Sequence, residues 1–416
     1  MRRLLIVSNR LPLTVQERKG NLYFEPSIGG LATGLSSLYK TYNSVWIGWP
    51  GIDLEKISGE EKDIMAKLLS ENCYPVFLTP HDVEAHYHGA CNRTIWPLFH
   101  YFPLHAVYRE DFWQAYERVN ETFANVVVEI AKPNDIIWIH DYHLMLLPKL
   151  VRERLPKATV GFFLHIPFPS FEIFRLLPWR KQILEGLLGA DLVGFHTYDC
   201  TGYFLDSVHR LLGYEVAMGQ ITAADRMVKA DAFPMGINYA QFSSAAWDQK
   251  VQAEIKRFRK KLGDCKTILS VDRLDYTKGI PQRLEAFSMF LDKNPKFRRK
   301  VIFVLLVVPS RTRVEHYAQL KKEVDGLVGE INGKYGTIGW MPVWYLYRSL
   351  PFHSLAALYN LADVTLVTPL RNGMNLVAKE YIAAKTDGKG ILILSETAGA
   401  AQELGEAIII NANSQE

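Results

Sequence analysis

Cysteine is scarce in this chain. Four occur among 416 residues, at Cys73, Cys91, Cys200 and Cys265, with no C-x-x-C pair. That scatter argues against a disulfide framework or a zinc site and favours a reducing cytoplasm. Long apolar runs are missing too. No uninterrupted run reaches the roughly 18 residues that a membrane span needs. The opening MRRLLIVSNRLPL is basic and then apolar, but Ser8, Asn9 and Arg10 interrupt it too early for a signal peptide. A soluble, intracellular protein with no membrane partner is expected. Charge of one sign is not in excess either: the net charge is only +4. The clusters RFRKK (257–261) and FRRK (297–300) read as solvated faces, so no nucleic-acid partner is expected. Internal repeats and low-complexity tracts are lacking. The absence of a G-x-G-x-x-G fingerprint at the first strand and of a P-loop disfavours NAD enzymes and P-loop NTPases. No D-x-D pair is present to hold a divalent metal under a nucleotide-sugar diphosphate. A departing diphosphate would have to be neutralised by cationic side chains.

What is present is ordinary globular composition, 48% hydrophobic and 22% charged, over a length that suggests about two to three domains. Short β-branched runs alternate with longer helical patterns: LLIVS (4–8), DIIWIH (135–140), TVGFFLH (159–165), DLVGFH (191–196), TILSVD (267–272), VIFVLLVV (301–308), DVTLVT (363–368), ILILS (391–395) and AIIIN (407–411). Strands this apolar, separated by amphipathic stretches such as GIPQRLEAFSMFLDKNP (279–295), predict α/β architecture with parallel sheets covered on both faces. A boundary is expected near 235–265, giving domains 1–245 and 246–416. Ligands collect beyond the carboxyl ends of such strands, and two facing halves would enclose a cleft. The final NANSQE reads as a polar helix start, so a further helix is expected beyond it.

Six predicted strands end in polar residues. They run into Ser8-Asn9-Arg10, Asp141-Tyr142-His143, His165, Arg273 through Lys278, Ser310-Arg311, and the segment TPLRNGMNLVAKEY (368–381). Taken singly, each Arg reads as a surface residue and each His as a core residue. Their coincidence at strand ends points to a shared site. Arg offers a fixed fork of donors that matches phosphate oxygens, and Lys adds a compact charge, so Arg10, Arg273, Lys278 and Arg311 could hold more than one phosphate. The turns Ile28-Gly29-Gly30-Leu31 and Asn372-Gly373-Met374-Asn375 each open a helix, where free backbone N–H groups attract anions. Aromatic residues gather at WIGWPG and HYHGACNRTIWP. Trp46 reads as core, whereas Trp49 and Tyr87 lie in segments that read as loops, where an aromatic could bound a sugar or a Tyr hydroxyl meet a phosphate.

These residues resemble a known family. VSNRLP with GGLATGL, WIGWPG, IIWIHDYHLMLLP, GFFLHIPFPS, VDRLDYTKGIPQRLEAF, PSR, INGKYGTIGWMPVWYL, TPLRNGMNLVAKEY and LSETAGAAQELG are together similar to the trehalose-6-phosphate synthases, retaining glycosyltransferases of GT-B fold. The resemblance implies two Rossmann-like domains, an acceptor-binding one at 1–245 and a nucleotide-sugar-binding one at 246–416. It implies glucosyl transfer from UDP-glucose to glucose 6-phosphate, with no cofactor and no metal. Arg10, Tyr87 and Arg311 match positions that hold the acceptor phosphate, Trp49 and Trp96 match acceptor-pocket aromatics, and Asp141 matches an acceptor-contacting carboxylate. His165 matches the residue on the donor glucose, and Arg273 with Lys278 the pair on the donor diphosphate. Gly30 and the segment Asn372, Gly373, Met374, Asn375 and Leu376 match the donor cradle, and Glu380 the ribose ligand. The mechanism would rest on Asp141, His165, Arg273 and Lys278. The resemblance leaves room for a homo-oligomer and for a phosphatase domain beyond the chain. One departure stands out: the family usually has Asp where this chain has Asn372, which is nearly isosteric but uncharged. That departure keeps open a weakly active sugar-phosphate sensor, beside a sister activity with a smaller polyol phosphate as acceptor.

Overall fold

Aliphatic strands buried on both faces pair in parallel and need helical crossovers, and this chain builds two sheets on that rule. The computed structural model describes residues 2–18, 21–27, 35, 39, 42–57, 59, 61–223, 226–310 and 315–414. It divides into two units, Met1–Met235 and Gly236–Glu416, at the start of the segment in which the sequence suggests a boundary. Gly30 and Arg311 lie outside the described residues.

The strands of the first unit are β1 (Leu4–Arg10), β2 (Leu13–Arg18), β3 (Asn21–Pro26), β4 (Ser44–Trp49), β5 (Cys73–Pro75), β6 (Ile136–His140), β7 (Thr159–Phe163), β8 (Leu192–Phe195), β9 (Glu215–Ala217), β10 (Gln220–Ala223) and β11 (Arg226–Ala232). Nine of them form one sheet in the order β5-β4-β1-β6-β7-β8-β11-β10-β9, and β2 pairs with β3 as a separate hairpin. The sheet is parallel from β5 to β11, and β10 and β9 add an antiparallel edge. Leu5, Ile6 and Val7 of β1 are fully buried, and Trp46 of β4 packs in the core with its Nε1 donating to Ser8 Oγ at 2.7 Å.

The second unit holds β12 (Lys266–Arg273), β13 (Val301–Val308), β14 (Val343–Tyr347), β15 (Val364–Val367), β16 (Ile391–Ser395) and β17 (Ile408–Ile410). Their order, β14-β13-β12-β15-β16-β17, is that of a Rossmann sheet, and every pairing is parallel. Seven of the eight residues of β13 are buried, as its unbroken apolar run requires. The amphipathic stretch after β12 becomes the helix Ile280–Lys293, which buries Ile280, Leu284, Phe287 and Leu291 against this sheet.

Both sheets reverse direction beside their first strand, between β1 and its neighbours β4 and β6, and between β12 and its neighbours β13 and β15. Ligands of open α/β sheets bind at such switch points. The six polar strand ends divide three and three between the two sheets, so each unit carries its own polar edge. No helix among the described residues is long and apolar enough to cross a membrane, and all four cysteines are free.

Candidate active site

In the first unit β1 delivers Arg10 to the switch point. Its guanidinium lies 4.3 Å from the Trp49 ring centroid and 5.6 Å from that of Tyr87, and the two aromatic rings are 6.3 Å apart. An aromatic face attracts a cation, and here two faces hold one fork of donors in place. Tyr87 stacks on His143 at 5.8 Å, His143 lies 3.9 Å from Tyr142, and Tyr142 lies 5.7 Å from Trp96. A continuous aromatic wall therefore joins Arg10, Trp49, Tyr87 and Trp96, four of the five expected acceptor residues that lie among the described residues.

Trp49 and Tyr87 are not in loops, contrary to the sequence reading. Trp49 ends strand β4, with its Nε1 donating to Ile52 O at 2.9 Å. The glycine before it is there because a Cβ at Gly48 would come within 2.7 Å of Ser8 O and 2.9 Å of the Leu11 nitrogen, so the backbones meet closely at this point. Tyr87 lies on a helix, Val83–Ile95, wound with the wide turns of a π-helix. Such segments are rare and frequently mark functional sites. Gly89 and Asn92 within it disguise the helix in the sequence.

The ends of β6 and β7 carry the next two candidates. Asp141 follows β6 with φ 74° and ψ 167°, a region populated almost only by glycine. Its Oδ1 accepts from the His165 backbone N–H at 3.2 Å. The His165 ring is half-buried, while its neighbour His140 is fully buried, with 3.0 Å between His140 Nδ1 and His165 Nε2. His196 stands 5.4 Å from the same ring. Burial first, and then the neighbouring His140 and His196, hold His165 neutral, well below the usual imidazole range.

In the second unit β12 ends in Arg273, which is exposed, and the following turn carries Lys278, only 6% exposed. Burial lowers the Lys278 ammonium to about 8, aided by Arg273 and Arg283 and opposed by Asp272 and Asp275. The turn is shaped by Asp275, which accepts from Thr277 N–H at 3.0 Å, Thr277 Oγ1 at 2.8 Å and Tyr317 Oη at 3.1 Å. Gly279 closes it with φ 66°, where a Cβ would stand 2.7 Å from Thr368 O. That close approach brings the β12 turn against the β15 loop, and Leu370 N–H donates to Thr277 O at 2.8 Å.

The β15 loop then opens the helix Leu376–Ala384. Asn372 is pinned through its backbone to Thr397 O at 3.2 Å and by Gly399 N–H at 3.3 Å, and Met374 O accepts from Ala400 N–H at 2.8 Å. Asn375 adopts a left-handed conformation at the helix cap, and its buried Nδ2 has no partner. A fixed helix N-terminus with an orphaned amide beside it is suited to anionic or hydroxyl oxygens. Glu380 sits on the same helix and accepts from the buried Tyr359 hydroxyl at 2.8 Å; burial raises its carboxyl above the ordinary range.

Three residues that the sequence reading passed over shape the two polar edges. Arg283 is buried and donates from Nε to Thr368 Oγ1 at 2.9 Å, from Nη1 to Ser270 Oγ and from Nη2 to Lys278 O, while pairing with Asp272 at 2.7 Å. It ties β12, the Lys278 turn and the β15 loop together. A charged residue on the apolar face of 279–295 was the available signal. His140 was visible as the last residue of a strand run. Tyr359, inside an apolar helix, left no sequence signal.

Two units of Rossmann strand order, each with a polar edge at its switch point, define the GT-B class of glycosyltransferases. Residues 2–414 match the family described as Glycosyltransferase family 20, and the chain belongs to that family. It is 49% identical over 99% of its length to the bifunctional trehalose-6-phosphate synthase/phosphatase of Thermoproteus tenax, of which it spans 57%. It is also similar to two solved structures. One is an α,α-trehalose-phosphate synthase (UDP-forming) from Burkholderia xenovorans in complex with glucose-6-phosphate, 34% identical with a TM-score of 0.89, covering 99% of this chain and 89% of that one. The other is the E. coli protein bound with UDP-2-fluoro glucose, 34% identical with a TM-score of 0.88, covering 100% and 89%.

Proposed function

We propose that the chain transfers glucose from UDP-glucose to the anomeric hydroxyl of glucose 6-phosphate with retention, giving α,α-trehalose 6-phosphate and UDP. The observation that carries this reading is the donor edge of the second unit. There the nearly buried Lys278 ammonium forms no hydrogen bond or ion pair among the described residues, beside a pinned helix N-terminus with an unpartnered amide. The nearby carboxylates of Asp272 and Asp275 are engaged by Arg283 and by Thr277 and Tyr317, and a buried cation without a paired anion is costly unless a ligand supplies one. The similarity to a UDP-forming synthase and to a protein bound with UDP-2-fluoro glucose supports a nucleotide sugar as that ligand.

On this reading Arg273 and Lys278 neutralise the departing diphosphate, Gly373 to Leu376 cradle donor sugar and distal phosphate, and Glu380 accepts from the ribose hydroxyls. Arg10 and Tyr87 take the acceptor phosphate, with Arg311 and Gly30 completing the two sites. Trp49, Trp96 and Asp141 bound and orient the acceptor sugar. A retaining glycosidase needs a carboxylate nucleophile. Here the leaving phosphate oxygen accepts the acceptor's proton on the face from which it departs, so the protein contributes positioning and charge stabilisation, and neither a protein base nor a metal is required. Asn372 keeps a carbonyl acceptor for a donor hydroxyl in place of the usual carboxylate.

The test is UDP release from UDP-glucose with and without glucose 6-phosphate, with the product identified by mass and anomeric NMR. Acceptor-dependent release with an α,α-linked phosphodisaccharide is expected. Binding of both ligands without release of UDP would overturn the reading.

A further inference from the structure

His140 is a buried titratable group that touches a proposed ligand residue and has no role of its own in the transfer. It is fully buried at the end of β6 and packs on Trp138 at 4.3 Å. Its Nδ1 faces His165 Nε2 at 3.0 Å, and its Nε2 is buried with no hydrogen-bond partner. His165 is held from the other side as well, through its backbone N–H on Asp141 and its ring against Phe163 at 4.7 Å. Its Nδ1 makes no hydrogen bond among the described residues, and the residue is partly exposed. The ring thus has one nitrogen turned inward to a buried partner and one left for a ligand.

Two neutral arrangements fit this pair. Either His140 donates from Nδ1 and His165 accepts at Nε2, or the reverse. The reverse requires a proton on His140 Nε2, which would leave a buried N–H with no acceptor. An orphaned buried N–H is rarer in folded proteins than an under-used acceptor. The first arrangement leaves Nε2 of His140 bare and obliges His165 to carry its proton on Nδ1. We propose that His140 is a positioning residue that fixes His165 as the Nδ1–H tautomer, making it a hydrogen-bond donor to an oxygen of the donor sugar. Burial agrees with a neutral pair, since His140 is lowered to about 3. The identity of the sugar oxygen's source rests on the function proposed above; the tautomer does not.

The test uses the whole chain labelled with ring-15N histidine, with the His165 signals assigned by their loss in His165→Gln. In the ligand-free protein His165 Nδ1 is expected to resonate as a protonated nitrogen and Nε2 as a bare one. In His140→Phe, which cannot donate, the His165 ring is expected to lose that state, with kcat/KM for UDP-glucose lowered about tenfold, the worth of one hydrogen bond. His140→Asn places an amide N–H near the position of Nδ1 and is expected to restore both ring state and rate. A wild-type His165 with bare Nδ1, or an unchanged ring in His140→Phe, overturns the proposal. If His140→Phe fails to fold, the wild-type and Asn spectra decide the matter. A protein with the expected ring state that releases no UDP counts against the functional reading and leaves the tautomer assignment standing.

Discussion

Asp141 sits where a side chain is least welcome. Its φ of 74° and ψ of 167° cost about 1–3 kcal/mol in a residue other than glycine, and such strain gathers where function holds a group in place. The usual order of stability, alanine above glycine, should therefore invert here. Asp141→Gly is expected to be more stable than Asp141→Ala by about 1 kcal/mol in denaturant unfolding, since both lose the bond to His165 and only glycine relieves the backbone. Both variants are expected to lose most turnover with glucose 6-phosphate. At the donor edge Arg273 is exposed, so its removal should leave the fold intact. Arg273→Ala is expected to lower kcat about 10²–10³-fold, the cost of one preorganised contact at comparable sites, with a melting temperature close to that of the parent. Near-normal turnover would remove Arg273 from the mechanism.

At the scale of elements, the β12 turn and the β15 loop act as one piece because Arg283 bonds to both. Arg283→Met leaves Asp272 buried without its partner and is expected to cost about 3–5 kcal/mol. Adding Asp272→Leu should recover much of that stability while the KM for UDP-glucose stays high, because the tie to the Lys278 carbonyl is still gone. Unfolding curves and donor KM on the two variants separate these effects. The helix Leu376–Ala384 and its neighbour Phe352–Leu361 set the acid side of the pH response. Burial raises the Glu380 carboxyl, so it takes up a proton at a higher pH than an ordinary glutamate and donor KM should rise as the solution becomes acidic. The Tyr359 hydroxyl favours the ionised form, so Tyr359→Phe should move this acid limb to higher pH. Lys278 behaves in the opposite sense. It is charged below about 8 and loses its proton above, so donor KM should rise again on the alkaline side. A donor KM independent of pH in both directions would dissociate these two groups from the donor.

Across the whole molecule, each unit has its own buried core, with Ile6, Trp46 and Ile64 in the first and Leu269, Phe303 and Leu394 in the second. Separate cores, with the separate ligands proposed for them, predict unfolding that is not two-state. UDP should stabilise the second unit, and glucose 6-phosphate the first, by about 2.7 kcal/mol each at a hundredfold excess over Kd, read as a rise in that unit's calorimetric transition. One transition moved equally by either ligand would contradict this division.

All nine runs read as strands in the sequence form strands; the central ones, such as β13, are apolar along their length because they are buried on both faces, while the exposed edge strand β17 shares only their composition. The polar ends of those runs were equally legible, since a residue past the sheet edge no longer has to be apolar, and Arg10, Asp141, His165, Arg273 and Lys278 were found in that way. The hairpin of β2 and β3, the short strands β5, β9 and β10, and strands β4, β11 and β14 were not; the hairpin and the short strands are brief or polar along much of their length. Nor does local pattern say which strand ends meet. Arg10 lies between Trp49 and Tyr87 because β1 pairs with β4 and its end meets the helix Val83–Ile95, contacts across 39 and 77 residues of chain. The four partners of Arg283, the grip of Tyr359 on Glu380 and the pairing of His140 with His165 likewise follow from sheet order. Periodicity is a property of neighbours in the chain, whereas a binding site is made by neighbours in space.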